Sequence, residues 1–271
     1  MRDVNRFDKI IFAVLNYYLR FNMTKIKSSK FVVIIPARYS SSRLPGKPLR
    51  LINKKPLIYL TWKNITKSVD KNIVYVATDS EKIKKVCDNY GIRTLMTSSL
   101  CKTGSDRVSE ASNLFKNKLI INLQGDEPFL KKKMILNFIS FALKNKNYVT
   151  NCFTKIKKKS EFFSVNIPKV LVNKKNFLLY MSRSYVPGSK KINFNKSYKQ
   201  VCIYSFPSNI LKKYFGVNKK KSLLEKIEDI EILRFLENGV DVKMLKVEDN
   251  LLSVDTSNDL KKANQISKRS L

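Results

Sequence analysis

Apolar runs alternate with stretches of helical spacing through the first half of the chain. Residues 31–35 (FVVII) form a continuous apolar run that stops at Pro36, as a parallel strand buried on both faces does. Residues 57–69 follow helical spacing through Leu57, Leu60, Ile65 and Val69, with Pro56 suited to the first turn. A second strand is predicted at 73–77. Ser80 then opens a helix over 80–90, which Gly91 closes, and a third strand follows at 92–96. Ser105 is placed to cap a helix running to about Phe115, and 119–123 (LIINL) predicts the fourth strand. This alternation predicts an α/β fold with a doubly wound, mostly parallel sheet.

After Gly125 the rhythm changes. A helix at about 131–145 leads to shorter strand-like pieces at 148–153, 168–173, 177–181 and 200–206, with a Lys/Asn-rich loop at 188–197. Helical periodicity returns over 222–237 and ends before Gly239; a strand at 240–247 and a helix from Asn258 complete the pattern. There is no internal repeat. The expectation is one domain over 30–271, in which 129–205 contains an inserted, partly antiparallel region, a common place for subunit contacts. Residues 1–29 read as an extension outside the fold. The apolar stretch at 10–15 is short and lacks a cleavage site, and Met23 stands shortly before the first strand, so residues 1–22 fit an upstream start.

Composition narrows the chemistry. The chain has 271 residues, of which 54 are Lys or Arg and 21 are Asp or Glu, a formal charge of +33. At 43% hydrophobic it has material for a full core, which excludes wholesale disorder, and no apolar stretch reaches the ~18–20 residues of a membrane span. The absence of His removes Ser-His-Asp triads, His-ligated zinc and imidazole general bases. Only 11 of the 54 basic residues are Arg, and the Lys runs are scattered without an aromatic ladder. That pattern favours a solvated basic surface over a nucleic-acid groove, while its potential still draws in small polyanions. The cysteines Cys87, Cys101, Cys152 and Cys202 have no metal-ligand spacing and read as free thiols, in keeping with a reducing compartment.

Ligands of doubly wound sheets bind outside the carboxyl ends of the strands, so the loops after the first and fourth strands carry the chemistry. The first, PARYSSSRLPGKP (36–48), sets Arg38, Arg43 and Lys47 around small residues and Gly46, where cations and backbone amides can converge on a polyphosphate. It has neither Walker nor GxGxxG spacing. The second, QGDEP (124–128), puts Asp126 just past a buried strand, where it can hold a hard cation against phosphates. Asp255, ahead of the last helix, has two readings: a helix cap, or a second ligand to that ion.

Six ordered segments carry a resemblance: PARYSSSRLPGKP, TGSDRVSEAS (103–112), INLQGDEP (121–128), MSRSYVP (181–187), LLEKIEDIEILRFLENG (223–239) and SVDTSNDL (253–260). Together they are similar to the 3-deoxy-manno-octulosonate (Kdo) cytidylyltransferases, over about residues 31–265. The resemblance implies a nucleotide-diphospho-sugar transferase-like fold, a cytoplasmic homodimer, and activation of Kdo by CTP with Mg2+ for lipopolysaccharide assembly, giving CMP-Kdo and pyrophosphate. It implies a catalytic set of Arg38, Lys47, Asp126 and Asp255, with Asp126 and Asp255 on the metal. Arg38, Arg43, Lys47, Ser105, Asp106, Arg107 and Gln124 would attend the nucleotide. Gln124, Arg183, Gln200, Tyr204 and Glu231 would attend the sugar acid.

The family pattern has His where Gln200 stands, Gly at Cys202, and Gln after the Glu, where this chain has Ile232. By the resemblance, the changes at Gln200 and Ile232 would fall in the sugar pocket, away from the phosphates and metal. Rival readings are activation of another acidic sugar, such as an amino-substituted Kdo or a sialic acid, and a basic nucleic-acid-binding protein on the same scaffold.

Overall fold

A computed structural model describes residues 30–41, 43–116, 118–188, 196–248 and 253–269. The N-terminal extension expected at 1–29 and most of the Lys/Asn-rich loop lie outside the described residues. The strands are β1 (Phe31–Pro36), β2 (Leu51–Ile52), β3 (Lys55–Pro56), β4 (Val74–Thr78), β5 (Arg93–Met96), β6 (Leu119–Leu123), β7 (Val149–Lys155), β8 (Lys169–Val172), β9 (Leu178–Ser182), β10 (Tyr198–Pro207) and β11 (Val242–Lys246). The helices are α1 (Leu57–Ile65), α2 (Glu81–Asn89), α3 (Gly104–Ala111), α4 (Lys132–Lys144), α5 (Lys159–Phe163), α6 (Ser208–Tyr214), α7 (Leu223–Glu228), α8 (Leu233–Glu237) and α9 (Ser257–Arg269).

One nine-stranded sheet runs β11-β7-β10-β6-β1-β4-β5, with β8 pairing β10 and β9 at its side. The β6-β1-β4-β5 half is parallel, in the order a doubly wound domain requires. β1 and β6 are fully buried because each feeds two cores. Val33 and Ile121 pack with α1, α2 and α4 on one face, and Val32 and Ile120 pack with α3, α6 and α8 on the other. That two-sided burial is why their sequences run apolar instead of alternating.

β10 is the exception in direction. It lies antiparallel between β6 and β7, with Ile203 opposite Leu123 and Pro207 opposite Leu119. Its first half therefore projects past the carboxyl end of β6, to the edge where Gln124 and Asp126 emerge. A third apolar cluster joins Leu44, Ile52, Leu57, Val254 and Ala263. It packs the loop after β1 and the β2–β3 hairpin against α9, so the segment before α9 lies over that loop.

The long helix expected over 222–237 is two short helices. Asp229 ends α7 in the left-handed region at φ 49°, and the chain turns through Ile230–Ile232 before α8. Apolar spacing persists across the break because both helices bury one side against the same core, so periodicity alone did not reveal it. The α6 and α5 helices and the β2–β3 hairpin are too short to have given a periodic signal.

Candidate active site

The loop after β1 closes on itself. Gly46 adopts φ 64°, its N–H donates to Tyr39 O at 3.1 Å, and a 3-10 turn at Lys47–Leu49 follows with Pro48 inside it. This holds Lys47 half-buried while Arg38 and Arg43 stay exposed. The loop after β6 passes close behind: a Cβ on Gly125 would sit 3.1 Å from Pro36 O, so only glycine lets the two strand ends approach this closely.

Three distant segments meet here. Lys47 Nζ donates to Asp126 Oδ2 at 2.5 Å and to Asp255 Oδ1 at 2.9 Å, and Arg43 Nη2 reaches Asp255 Oδ1 at 3.2 Å. Val254 N–H donates to Asp126 O at 2.9 Å, and the Ser253 hydroxyl donates to Glu127 Oε1. The cap of α9 is Thr256, whose hydroxyl and N–H exchange bonds with Asp259. Asp255 is thereby left free of capping and turned toward Lys47. Burial pulls the Lys47 pKa down, but the two carboxylates outweigh it and hold the ammonium above its ordinary value. Glu127, buried behind Asp126, is pushed up to about 8 by burial and by the Asp126 charge.

Two carboxylates that converge on one ammonium can also converge on one divalent cation. Among the described residues no cluster of three or more His, Cys, Asp or Glu forms a self-sufficient metal cage. The donor set fits an ion that takes one or two carboxylates and completes its shell with phosphate oxygens and water, which is the habit of magnesium.

The α3 amino end forms the neighbouring wall. Its N-cap is Thr103, not Ser105: Thr103 Oγ1 accepts from Asp106 N–H at 3.0 Å, and Asp106 Oδ2 accepts from Thr103 N–H at 3.1 Å. Glu231, from the turn between α7 and α8, accepts from Gly104 N–H at 3.1 Å and Ser105 N–H at 2.8 Å. Burial raises the Glu231 pKa, and these N–H bonds oppose the rise. Gln124, half-buried, has its Nε2 near the same place, 3.8 Å from a Cβ built on Gly104.

Asp106 and Arg107, expected beside the nucleotide, are buried in internal pairs. Asp106 Oδ1 accepts from Arg234 Nη1 and Gly216 N–H, both at 3.1 Å. Arg107 reaches Asp79 at 3.0 Å and Thr97 at 2.5 Å. Their side chains fix the loop's shape. Arg234 also forks onto Glu225, at 2.5 and 2.7 Å, and lies 3.9 Å over the Phe215 ring.

On β10, Tyr204 Oη accepts from Gln200 Nε2 at 3.1 Å, with Cys202, Glu231 and Asp126 among the groups that, after burial, raise its pKa. Arg183 is farther along the same wall. Its guanidinium donates to Glu228 O at 2.5 Å, Asp229 O at 2.8 Å and Val165 O at 3.0 Å, at the carboxyl end of α7. A fourth bond, from Nη2 to Asp229 Oδ2 at 3.5 Å, leaves one of its five N–H groups for another acceptor. The backbone beneath it is fixed by Lys169, a buried ammonium that donates to Ser164 O and Ile167 O at 2.8 Å and to Arg183 O at 2.5 Å.

Sequence reasoning did not single out Glu127, Asn151, Lys169, Arg234 or Ser253. The Thr103–Asp106 capping box was readable as T-x-x-D; the other roles depend on tertiary register.

The sequence profile of the cytidylyltransferase family matches residues 32–245. A 3-deoxy-manno-octulosonate cytidylyltransferase of Thermodesulfovibrio yellowstonii is 38% identical over 248 residues, covering 86% of this chain and 96% of the relative. The enzyme of that name from Rickettsia massiliae is 40% identical over 237 residues, covering 85% and 92%. A solved structure of CMP:2-keto-3-deoxy-manno-octonic acid synthetase complexed with CTP superposes with a TM-score of 0.81 at 30% identity, covering 89% of this chain and all of that one. A thymidylyltransferase from Bacillus anthracis, 16% identical with a TM-score of 0.63, shares the fold alone. With its loops, strand order and relatives in agreement, the chain belongs to the cytidylyltransferase family, among the 3-deoxy-manno-octulosonate cytidylyltransferases.

Proposed function

We propose that this chain activates 3-deoxy-manno-octulosonate with CTP, releasing pyrophosphate and yielding CMP-Kdo for lipopolysaccharide synthesis. The observation that carries this reading is the convergence of Asp126 and Asp255 on Lys47 at the carboxyl end of β6, beside Arg43. Arg38, Arg43 and Lys47 bind the triphosphate and spread its charge as the α-phosphorus is attacked. The anomeric hydroxyl oxygen forms the new bond to that phosphorus, the bond to the bridging oxygen breaks, pyrophosphate departs, and the hydroxyl proton passes to solvent water. Positioning and charge neutralisation supply the rate without a covalent intermediate, which suits a protein with no histidine.

Cytidylyltransferases work with a divalent cation, and here we assign Mg2+ to Asp126 and Asp255. When bound, it would neutralise phosphate charge and make the attacking hydroxyl easier to deprotonate. Ser105 and Gln124 line the nucleotide side, with Asp106 and Arg107 shaping the loop beneath. Gln124, Arg183, Gln200, Tyr204 and Glu231 receive the sugar acid, whose carboxylate would use the remaining N–H group of Arg183.

No helix among the described residues is long and apolar enough to cross a membrane. A cytoplasmic homodimer suits the reading, and the inserted region 129–205 supports the dimer by leaving Phe163, Val165, Leu179 and Tyr185 exposed. The testing experiment measures pyrophosphate release from CTP and Mg2+ against a panel of sugar acids. Kdo-dependent release is expected. Release with a sialic acid or an amino-substituted Kdo alone would shift the substrate, and salt-sensitive RNA binding without CTP turnover would remove the enzymatic reading.

A further inference from the structure

The ladder between β7 and β10 breaks at one point. Val201 pairs with Cys152 and Tyr204 with Asn151, so Cys202 and Ile203 bulge out of register. A bulge leaves backbone carbonyls without ladder partners, and such groups need a donor when buried. Asn151, fully buried, supplies it: Nδ2 donates to Val201 O at 2.9 Å and to Ile203 O at 2.8 Å.

Carbonyl oxygens only accept, so chemistry fixes the Asn151 amide with nitrogen toward the bulge and oxygen away from it. That oxygen accepts from Gln200 Nε2 at 3.2 Å, and the same nitrogen donates to Tyr204 Oη at 3.1 Å. Both hydrogens of the Gln200 amide are thereby committed. Its Oε1 has no partner among the described residues, and Gln200 is only half-buried. Nearby, Tyr204 lies among acceptors, with the Glu231 and Asp126 carboxylates both within electrostatic reach.

We propose that Asn151 is a positioning residue that sets the hydrogen-bond polarity of the sugar pocket: it holds Gln200 so that only the amide oxygen faces the substrate, which must then present a hydrogen-bond donor there. This rests on the sugar-activating reading above. A sugar acid with a hydroxyl or an ammonium at that position satisfies Oε1, whereas an acceptor of similar size leaves it unpaired.

The test uses the full chain with CTP, Mg2+ and Kdo analogues in which one hydroxyl at a time is replaced by fluorine, which removes the donor while keeping the size. One analogue should lose about tenfold in kcat/KM, the scale of an acceptor left unpaired. Gln200→Met should raise the KM for Kdo, leave that for CTP within about twofold, and erase the discrimination against that analogue. Asn151→Ala, which frees the Gln200 amide to turn over, should bring discrimination to within about twofold even where Kdo itself binds less well. If Asn151→Ala does not fold, the Gln200→Met comparison decides.

Equal use of every fluoro analogue by the wild type overturns the proposal. So does discrimination that survives Gln200→Met, or that survives in folded Asn151→Ala. Turnover without discrimination sinks this inference alone; no pyrophosphate release with any sugar acid sinks the sugar-activating reading and this inference with it.

Discussion

Lys47 and Asp255 stand 208 positions apart in the chain, yet their side chains meet at 2.9 Å over the end of β6. Asp126 completes the group from the other side. The ammonium satisfies two carboxylates that would otherwise repel each other, and each of the three groups becomes a separate test.

Asp126→Asn and Asp255→Asn should each lower kcat by on the order of 10²–10³-fold, the loss seen when a group stabilising transition-state charge is removed. Circular dichroism and the thermal midpoint should stay close to wild type, because neither side chain supports the core. Near-normal turnover in either variant would remove the metal assignment. Lys47→Met should show a comparable rate loss. It should also bind Mn2+ more tightly than wild type in the absence of nucleotide, since the competing cation is gone; direct titration would read this.

Glu231 ties the turn before α8 to the first turn of α3. Glu231→Ala should cost about 0.5–2 kcal/mol, as for loss of a helix N-terminal acceptor. The thermal midpoint should fall by a few degrees, at roughly 2–4 °C per kcal/mol for a domain of this size. Because this carboxylate joins α3 to the wall proposed to receive the sugar acid, KM for both substrates should rise. An unchanged KM for CTP would show that the link carries nothing to the nucleotide side.

Arg234 is buried between Asp106 and Glu225. Arg234→Met leaves two carboxylates with no countercharge and should cost about 3–5 kcal/mol in urea unfolding. Arg234→Lys should recover only part of this, since an ammonium cannot fork onto Glu225 while reaching Asp106. A loss below about 1 kcal/mol would mean the network relaxes around solvent.

Burial pushes the Cys87 thiol up to about 11, and burial with the Glu110 carboxylate pushes Cys101 up to about 12. Cys152 and Cys202 also stand above the ordinary thiol value, chiefly through burial. Native protein should therefore resist thiol reagents at pH 8, while the urea-unfolded chain reacts fully. A raised acid pKa favours the folded state while the thiol stays neutral. That contribution is complete below about pH 9 and is lost as pH rises through 11–12. Rapid labelling of the native protein at pH 8 would contradict the packing at these sites.

Much of this architecture was legible beforehand. The strand predicted at 119–123 is β6 to the residue, and the one at 31–35 ends one residue short, because a strand buried on both faces runs almost wholly apolar, with only Asn122 polar within β6. The loops bearing Lys47 and Asp126 stood out because glycine and charge cluster at strand ends. Asp255 was ambiguous for a physical reason: a carboxylate ahead of a helix suits either a cap or an ion, and the neighbouring Thr256 cap removes the first reading, leaving Asp255 on Lys47. Glu127, Asn151 and Arg234 were opaque. Their meaning lies in partners 126, 50 and 128 residues away, and no local pattern records a bulge or a crossing of loops.

β10 runs against its neighbours, and on the proposed sugar-activating reading one strand thus spans from a partner whose end bears Asp126 to the side chains that would face the sugar. It acts as a fixed ruler between two chemistries. On that reading, substitutions along its leading half, such as Gln200, would change which polyol is gauged without moving the loop that bears Asp126. A lineage can retune its carbohydrate while the transfer machinery stays where it was.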